Sequence, residues 1–215
     1  MTATQRGVSP EEPLERFALD RSDGPDMSLL ERVKHALPLM ADLSRSDLLL
    51  YVPHGINRAR VAFQARPRSI FPLYANDLVG TSVDASSAPW VFRALSSSGT
   101  RRAAQSALVG DVPIMRQVLC VRGASGRPIA AVSFETNLLA HERHRRRSRV
   151  FQRALHLLQD MALRGELSGA RALSPFGEHD GIVVIDEQRR IRYMSGIATN
   201  LYRHIGYMGS LLGQS

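Results

Sequence analysis

Residues 115–134, MRQVLCVRGASGRPIAAVSF, decide the fold class. MRQVLCVR and PIAAVSF have strand character, and Gly123 and Gly126 stand between them to supply the turn, so the stretch predicts an antiparallel β-hairpin. A second hairpin lies upstream. LLLYV follows Asp47, a turn falls at Pro53-His54-Gly55, and Ala59, Val61, Phe63 and Ala65 alternate with mostly polar neighbours from Arg58 to Arg66.

Helical periodicity brackets the hairpins. Before them, Leu29, Leu30, Val33, Leu37, Met40 and Leu43 recur at helical intervals through Asp42, Ser28 and Glu31 have the spacing of a capping box, and Pro38 predicts a kink. After Thr136 the period turns helical until Gly165. Val150, Ala154, Leu157 and Met161 form one stripe, and Phe151, Leu155, Leu158 and Ala162 repeat it one residue on. Such a helix over 138–165 would run for about 40 Å, further than one sheet covers. Part of it should therefore meet another helix, most simply its symmetry mate in a homodimer, through Val150, Ala154, Leu157 and Met161.

Between the hairpins, Ser69 to Gly110 reads as a long irregular insert with one short helix from Ser87 through Leu95, opened by Pro89. Tyr74, Trp90, Arg101, Met115 and Arg116 fall in or beside it. Together they suggest an apolar pocket, with Arg116, Arg101 and Arg102 available to an anionic group. At the other end, DGIVVIDEQRRIRYMSG (180–196) gives two short strands and the start of a helix holding Ile197, Leu201 and Ile205. Two strands and one helix cannot close a core, so this reads as the opening of a further domain.

The chain of 215 residues carries 28 basic and 20 acidic residues, a formal charge of +8. Lys34 is the only lysine, so neither a Walker phosphate loop nor a Schiff-base lysine beyond it is available. Cys120 is the only cysteine, which removes disulfides, CxxC redox pairs and multi-cysteine zinc sites. It reads as a small apolar core residue. HERHRRRSR (141–149) with Arg153 is the densest charge cluster, and reads as the solvated half of the helix more than as a nucleic-acid contact. Like charges at Arg145, Arg146, Arg149 and Arg153 each oppose the helix by about 0.2–0.5 kcal/mol. His141 and His144, crowded by arginines, are not read as metal ligands. No apolar run has membrane-spanning length and no signal peptide is visible, so a cytoplasmic location is expected.

The order helix, hairpin, insert, hairpin and exit helix resembles a GAF-like sensory domain. DGIVVIDEQRRIRYMS (180–195), followed by Asn200, resembles the first hairpin of a PAS domain. Together with MADLSRSDLLLYV (40–52), DLVGTSVDASSAPWV (77–91) and GRPIAAVSFETN (126–137), the series is similar to the GAF-plus-PAS input region of bacterial sensor histidine kinases. The closest likeness is to the actinobacterial kinases that signal to an RNA-binding antiterminator response regulator.

The resemblance implies an α+β chain: a leader (1–26), a GAF-like domain (27–137) with an antiparallel sheet and flanking helices, a signalling helix (138–165), a linker (166–179) and a partial PAS-like domain (180–215). It also implies a signal-input module that is not itself an enzyme, because the family's phosphoacceptor box is absent and RVKH (32–35) has a different order. ATP and Mg would belong to a kinase core outside this chain, as would contact with a response regulator. No cofactor, metal, membrane or nucleic-acid partner is expected, and a small-molecule ligand is left open. The second reading is a GAF-containing nucleic-acid-binding regulator using the basic helix.

Overall fold

The central strands carry the most apolar stretches of the chain. β1 (Asp47–Pro53) and β6 (Pro128–Asn137) are buried along nearly their whole lengths, pair antiparallel in the register Leu48↔Phe134 and Leu50↔Val132, and are covered on both faces. β2 (Arg58–Ala65) and β3 (Ser82–Asp84) extend the sheet on one side, and β5 (Val112–Arg122) and β4 (Ala104–Val109) on the other, giving the antiparallel order β3-β2-β1-β6-β5-β4. The computed structural model describes residues 24–96, 104–145, 148–177 and 179–214. Gly126 (φ +76°) takes the left-handed conformation in the β5–β6 turn.

Strand alternation sorts the side chains into two layers. On one face Leu48, Leu50, Leu119, Val121, Ala130 and Val132 pack against α1 (Gly24–Ser44), whose Leu30, Val33, Leu37 and Met40 are fully buried. Each contributes about 1.5–3 kcal/mol by leaving water. On the other face Leu49, Tyr51, Val61 and Ala131 meet Ala88 and Val91, the latter in α2 (Pro89–Ser96), together with the insert. The insert is less irregular than its serines and prolines suggest, because β3 and β4 lie within it. β4 is a largely exposed edge strand without an apolar face, so it carries no strand period to read.

α1 begins at Gly24, within the expected leader. Ser28 is no cap: its hydroxyl donates to the Gly24 carbonyl at 3.0 Å, inside the helix. Asp26, in the first turn, accepts from the Ala124 amide at 3.1 Å and ties α1 to the β5–β6 turn. The chain stays helical through Pro38.

The expected continuous helix is two helices, α3 (Leu138–Arg145) and α4 (Arg149–Leu163). Ser148, with ψ 136°, leaves the helical conformation and its hydroxyl accepts from Val150 N as an N-cap. The like-charged run around it works against a continuous helix, and the serine offers the break. Beyond α4 the chain crosses a 3₁₀ turn at Ala170–Ala172 to the hairpin β7 (Val183–Ile185) and β8 (Ile191–Met194), then α5 (Gly196–His204), capped by Ser195. A Cβ on Gly181 would meet the Ala198 Cα at 2.7 Å, so glycine is needed where the chain crosses α5. No helix among the described residues is long and apolar enough to cross a membrane.

Candidate functional site

Three residues in register make a polar row across the middle of the insert-side face. Asp47 stands opposite Glu135 on β6, and Glu135 opposite Arg116 on β5. A row of charge in a buried sheet has to be satisfied locally. Glu135 is satisfied: Arg116 Nε donates to its Oε1 at 2.8 Å, Ser133 Oγ to the same oxygen at 2.9 Å, and the Tyr74 hydroxyl to its Oε2. The Arg116 guanidinium also lies 4.0 Å from the centre of the Trp90 ring, over its face.

These contacts set the protonation states. Burial opposes charge on Arg116, but its hydrogen bond to Glu135 and the Glu135 charge more than offset this and hold its pKa above the ordinary value. Burial, and then the charge of Glu135, push the Tyr74 and Tyr51 phenols upward, so both stay neutral and Tyr74 donates to Glu135. Asp47 is raised to about 6, first by burial and also by facing Glu135, although the Leu73 amide donates to its Oδ2 at 2.9 Å. Its Oδ1, Gln64 Nε2 and Trp90 Nε1 are buried without a hydrogen-bond partner among the described residues.

Side-chain oxygens of α1 and the sheet hold the chain that leads into and through the insert. Asp42 accepts from Arg68 N at 2.8 Å, Asp47 from Leu73 N, and Gln64 Oε1 from Leu78 N at 2.8 Å. Backbone that cannot pair with a strand thus finds side-chain partners, and the insert closes over the polar row.

Of the residues expected here, Tyr74, Trp90 and Arg116 come together. Met115 does not: alternation along β5 turns it to the opposite face, where it lines a cavity under α4. Arg101 and Arg102 lie outside the described residues. Sequence reasoning missed Asp47, Ser133 and Glu135, although a carboxylate inside a run as apolar as IAAVSFE is a signal of a buried, paired charge. Cys120 is half-buried, and burial pushes its thiol up, away from the reactive thiolate.

α4 divides its two stripes. Phe151, Gln159, Ala162 and Leu163 are buried against the domain, whereas Leu157 is 56 % exposed and Val150, Ala154 and Met161 are half-buried beside it. Phe151 also touches the C-terminal hairpin, its ring centre 5.3 Å from that of Tyr193.

The profile of the GAF domain of histidine kinase PdtaS matches residues 18–154, which include the whole sheet, the insert and the polar row. The chain belongs to this GAF family. The chain is also similar to a solved structure described as the sensor region of a sensor histidine kinase, at 25% identity and a TM-score of 0.64, covering 90% of this chain and 67% of that one. An IcIR transcriptional regulator from Alicyclobacillus acidocaldarius is 10% identical, with a TM-score of 0.43 over 74% of this chain and 71% of its own. The IclR of Thermotoga maritima is 11% identical, with a TM-score of 0.39 over 67% and 68%. No curated protein matches in sequence. The GAF-like α+β fold and the sensor-region character follow from the first two findings.

Proposed function

We propose that this chain is the signal-input region of a cytoplasmic two-component sensor histidine kinase, and that it controls autophosphorylation of a kinase core outside the chain. One observation carries the reading: Phe151 of α4 is buried against the sensor domain and packs at a tilt against the Tyr193 ring of the C-terminal hairpin. A displacement of α4 on the sheet is therefore felt by the element that follows it. The hairpin and α5 are read as the start of a PAS-like domain. Val150, Ala154, Leu157 and Met161 are assigned to a homodimer contact that passes the displacement on.

The stimulus is assigned to the insert side. There the unpaired polar atoms of Asp47, Gln64 and Trp90 offer hydrogen bonds to a small molecule, next to a guanidinium already committed to Glu135. Kinase catalysis, with ATP and Mg, and contact with a response regulator are assigned to that kinase core. The test joins this region to a histidine-kinase core and follows autophosphorylation with labelled ATP. Leu157→Arg should change the rate severalfold while α4 stays folded; an unchanged rate counts against input through α4.

A further inference from the structure

Asp42 stands in the last turn of α1, next to Met40 and Ala41, which are fully buried. Its carboxylate is itself 4 % exposed and takes backbone donors from two parts of the chain that are far apart in sequence. The Arg68 amide, where the chain enters the insert, donates to Oδ1 at 2.8 Å. The Phe176 amide, in the linker, is the second donor.

The linker reaches Asp42 by running along α1. Arg32 Nε donates to the Gly165 carbonyl at 3.2 Å, Leu167 packs against the α1 side of the core, and the 3₁₀ turn at Ala170–Ala172 lies on α1. Past Phe176 the chain turns at once into the C-terminal unit. The Gly177 amide donates to Asp180 Oδ2 at 2.6 Å, and the Ile182 amide donates at 3.0 Å to the hydroxyl of Ser195, the N-cap of α5. One side chain on a rigid helix thus holds both the entry to the insert and the approach to the hairpin.

The two attachments depend on each other. Burial raises the Asp42 pKa, and the Arg68 amide and charge, together with the Phe176 amide, offset this only in part. A buried carboxylate that loses one of two donors has to rehydrate or take up a proton, and either change weakens its hold on the other.

We infer that Asp42 is a positioning residue that couples the insert to the linker: release of the Arg68 amide loosens Phe176, so a displacement of the insert reaches the entrance of the C-terminal hairpin without passing through α4. What displaces the insert rests on the insert-side reading of the stimulus. The coupling itself is measured in the chain alone, so either can fail without the other.

The test is residue-resolved amide hydrogen exchange on the whole chain, read at Phe176. Arg68→Pro removes the amide donor at an exposed residue and should speed exchange at Phe176 at least about fivefold, with β1 and β6 protected as before. Arg68→Gln keeps the amide and should stay within about twofold of the parent. In Asp42→Ala, where Phe176 is already released, Arg68→Pro should add nothing. Unchanged exchange at Phe176 in Arg68→Pro, an equal effect of Arg68→Gln, or a full effect of Arg68→Pro in the Asp42→Ala background each overturns the inference. If Arg68→Pro does not fold, the parent decides by NMR. The amide proton shifts of Arg68 and Phe176 should then titrate with one common midpoint, above the ordinary 3.8 of an aspartate, whereas separate midpoints or no response at Phe176 overturn the coupling.

Discussion

Asp47 and Glu135 face each other across the β1–β6 ladder, two carboxylates each 1 % exposed and drawn to one row of the sheet. Among the described residues, Glu135 has a cation, Arg116, bonded to it and Asp47 has none. Asp47 answers by holding its proton, with a pKa raised to about 6 from an ordinary 3.8. Because the folded state binds that proton more tightly than the unfolded chain does, the stabilisation is fully present below about pH 4 and is lost as pH rises toward about 6. Asp47→Asn keeps an oxygen for the Leu73 amide and removes the titration. Urea unfolding should show the variant more stable than the parent by about 1–3 kcal/mol at pH 7 and nearly equal to it at pH 4. A parallel offset at both pH values would contradict this origin.

Arg116 and Glu135 are expected to behave as a unit. Arg116→Met leaves Glu135 buried without its cation and should cost about 3–5 kcal/mol, while adding Glu135→Leu should recover much of that loss. Chemical denaturation of the two single variants and the double variant checks the coupling. Additive losses would mean that the two side chains act separately.

Tyr74→Phe removes one hydrogen bond to a buried carboxylate and one anchor of the insert. The expected loss is about 1.5–3 kcal/mol, with faster proteolytic cleavage within 69–80 than in the parent. Unchanged cleavage there would show that the Asp42, Asp47 and Gln64 anchors hold the insert without Tyr74.

Gly181→Ala brings a methyl against the Ala198 backbone. Hydrogen exchange should accelerate over 182–204, with β1 and β6 protected as before, because the damage is confined to the C-terminal hairpin and α5. Loss of protection in the central sheet would show that the hairpin is part of the main cooperative unit.

The sheet was legible in the sequence wherever one element had one job. Leu48 to Leu50 and Ile129 to Val132 are apolar because both faces are buried, and Gly126 sits where the turn requires a positive φ. β4 was not legible, since an exposed edge strand has no apolar alternation to display. The break before α4 was hidden because helical spacing continues on either side of it, and only the capping hydroxyl of Ser148 marks where the second helix starts. At the site, aromatic and basic residues in the insert pointed to Tyr74, Trp90 and Arg116, but the face each residue takes was lost for Met115. Glu135, at the centre of the network, was not legible because it ends a strand whose other residues are mostly apolar and its partners Arg116 and Tyr74 come from distant parts of the chain.

In the proposed signalling arrangement α4 is shared between two copies through the face its own domain leaves uncovered. Sedimentation equilibrium of the chain at tens of micromolar measures this directly. The predicted result is twice the monomer mass for the parent and the monomer mass for Leu157→Arg, with unchanged helical circular dichroism. A parent that sediments as a monomer, or a Leu157→Arg variant that still sediments as a dimer, would contradict it.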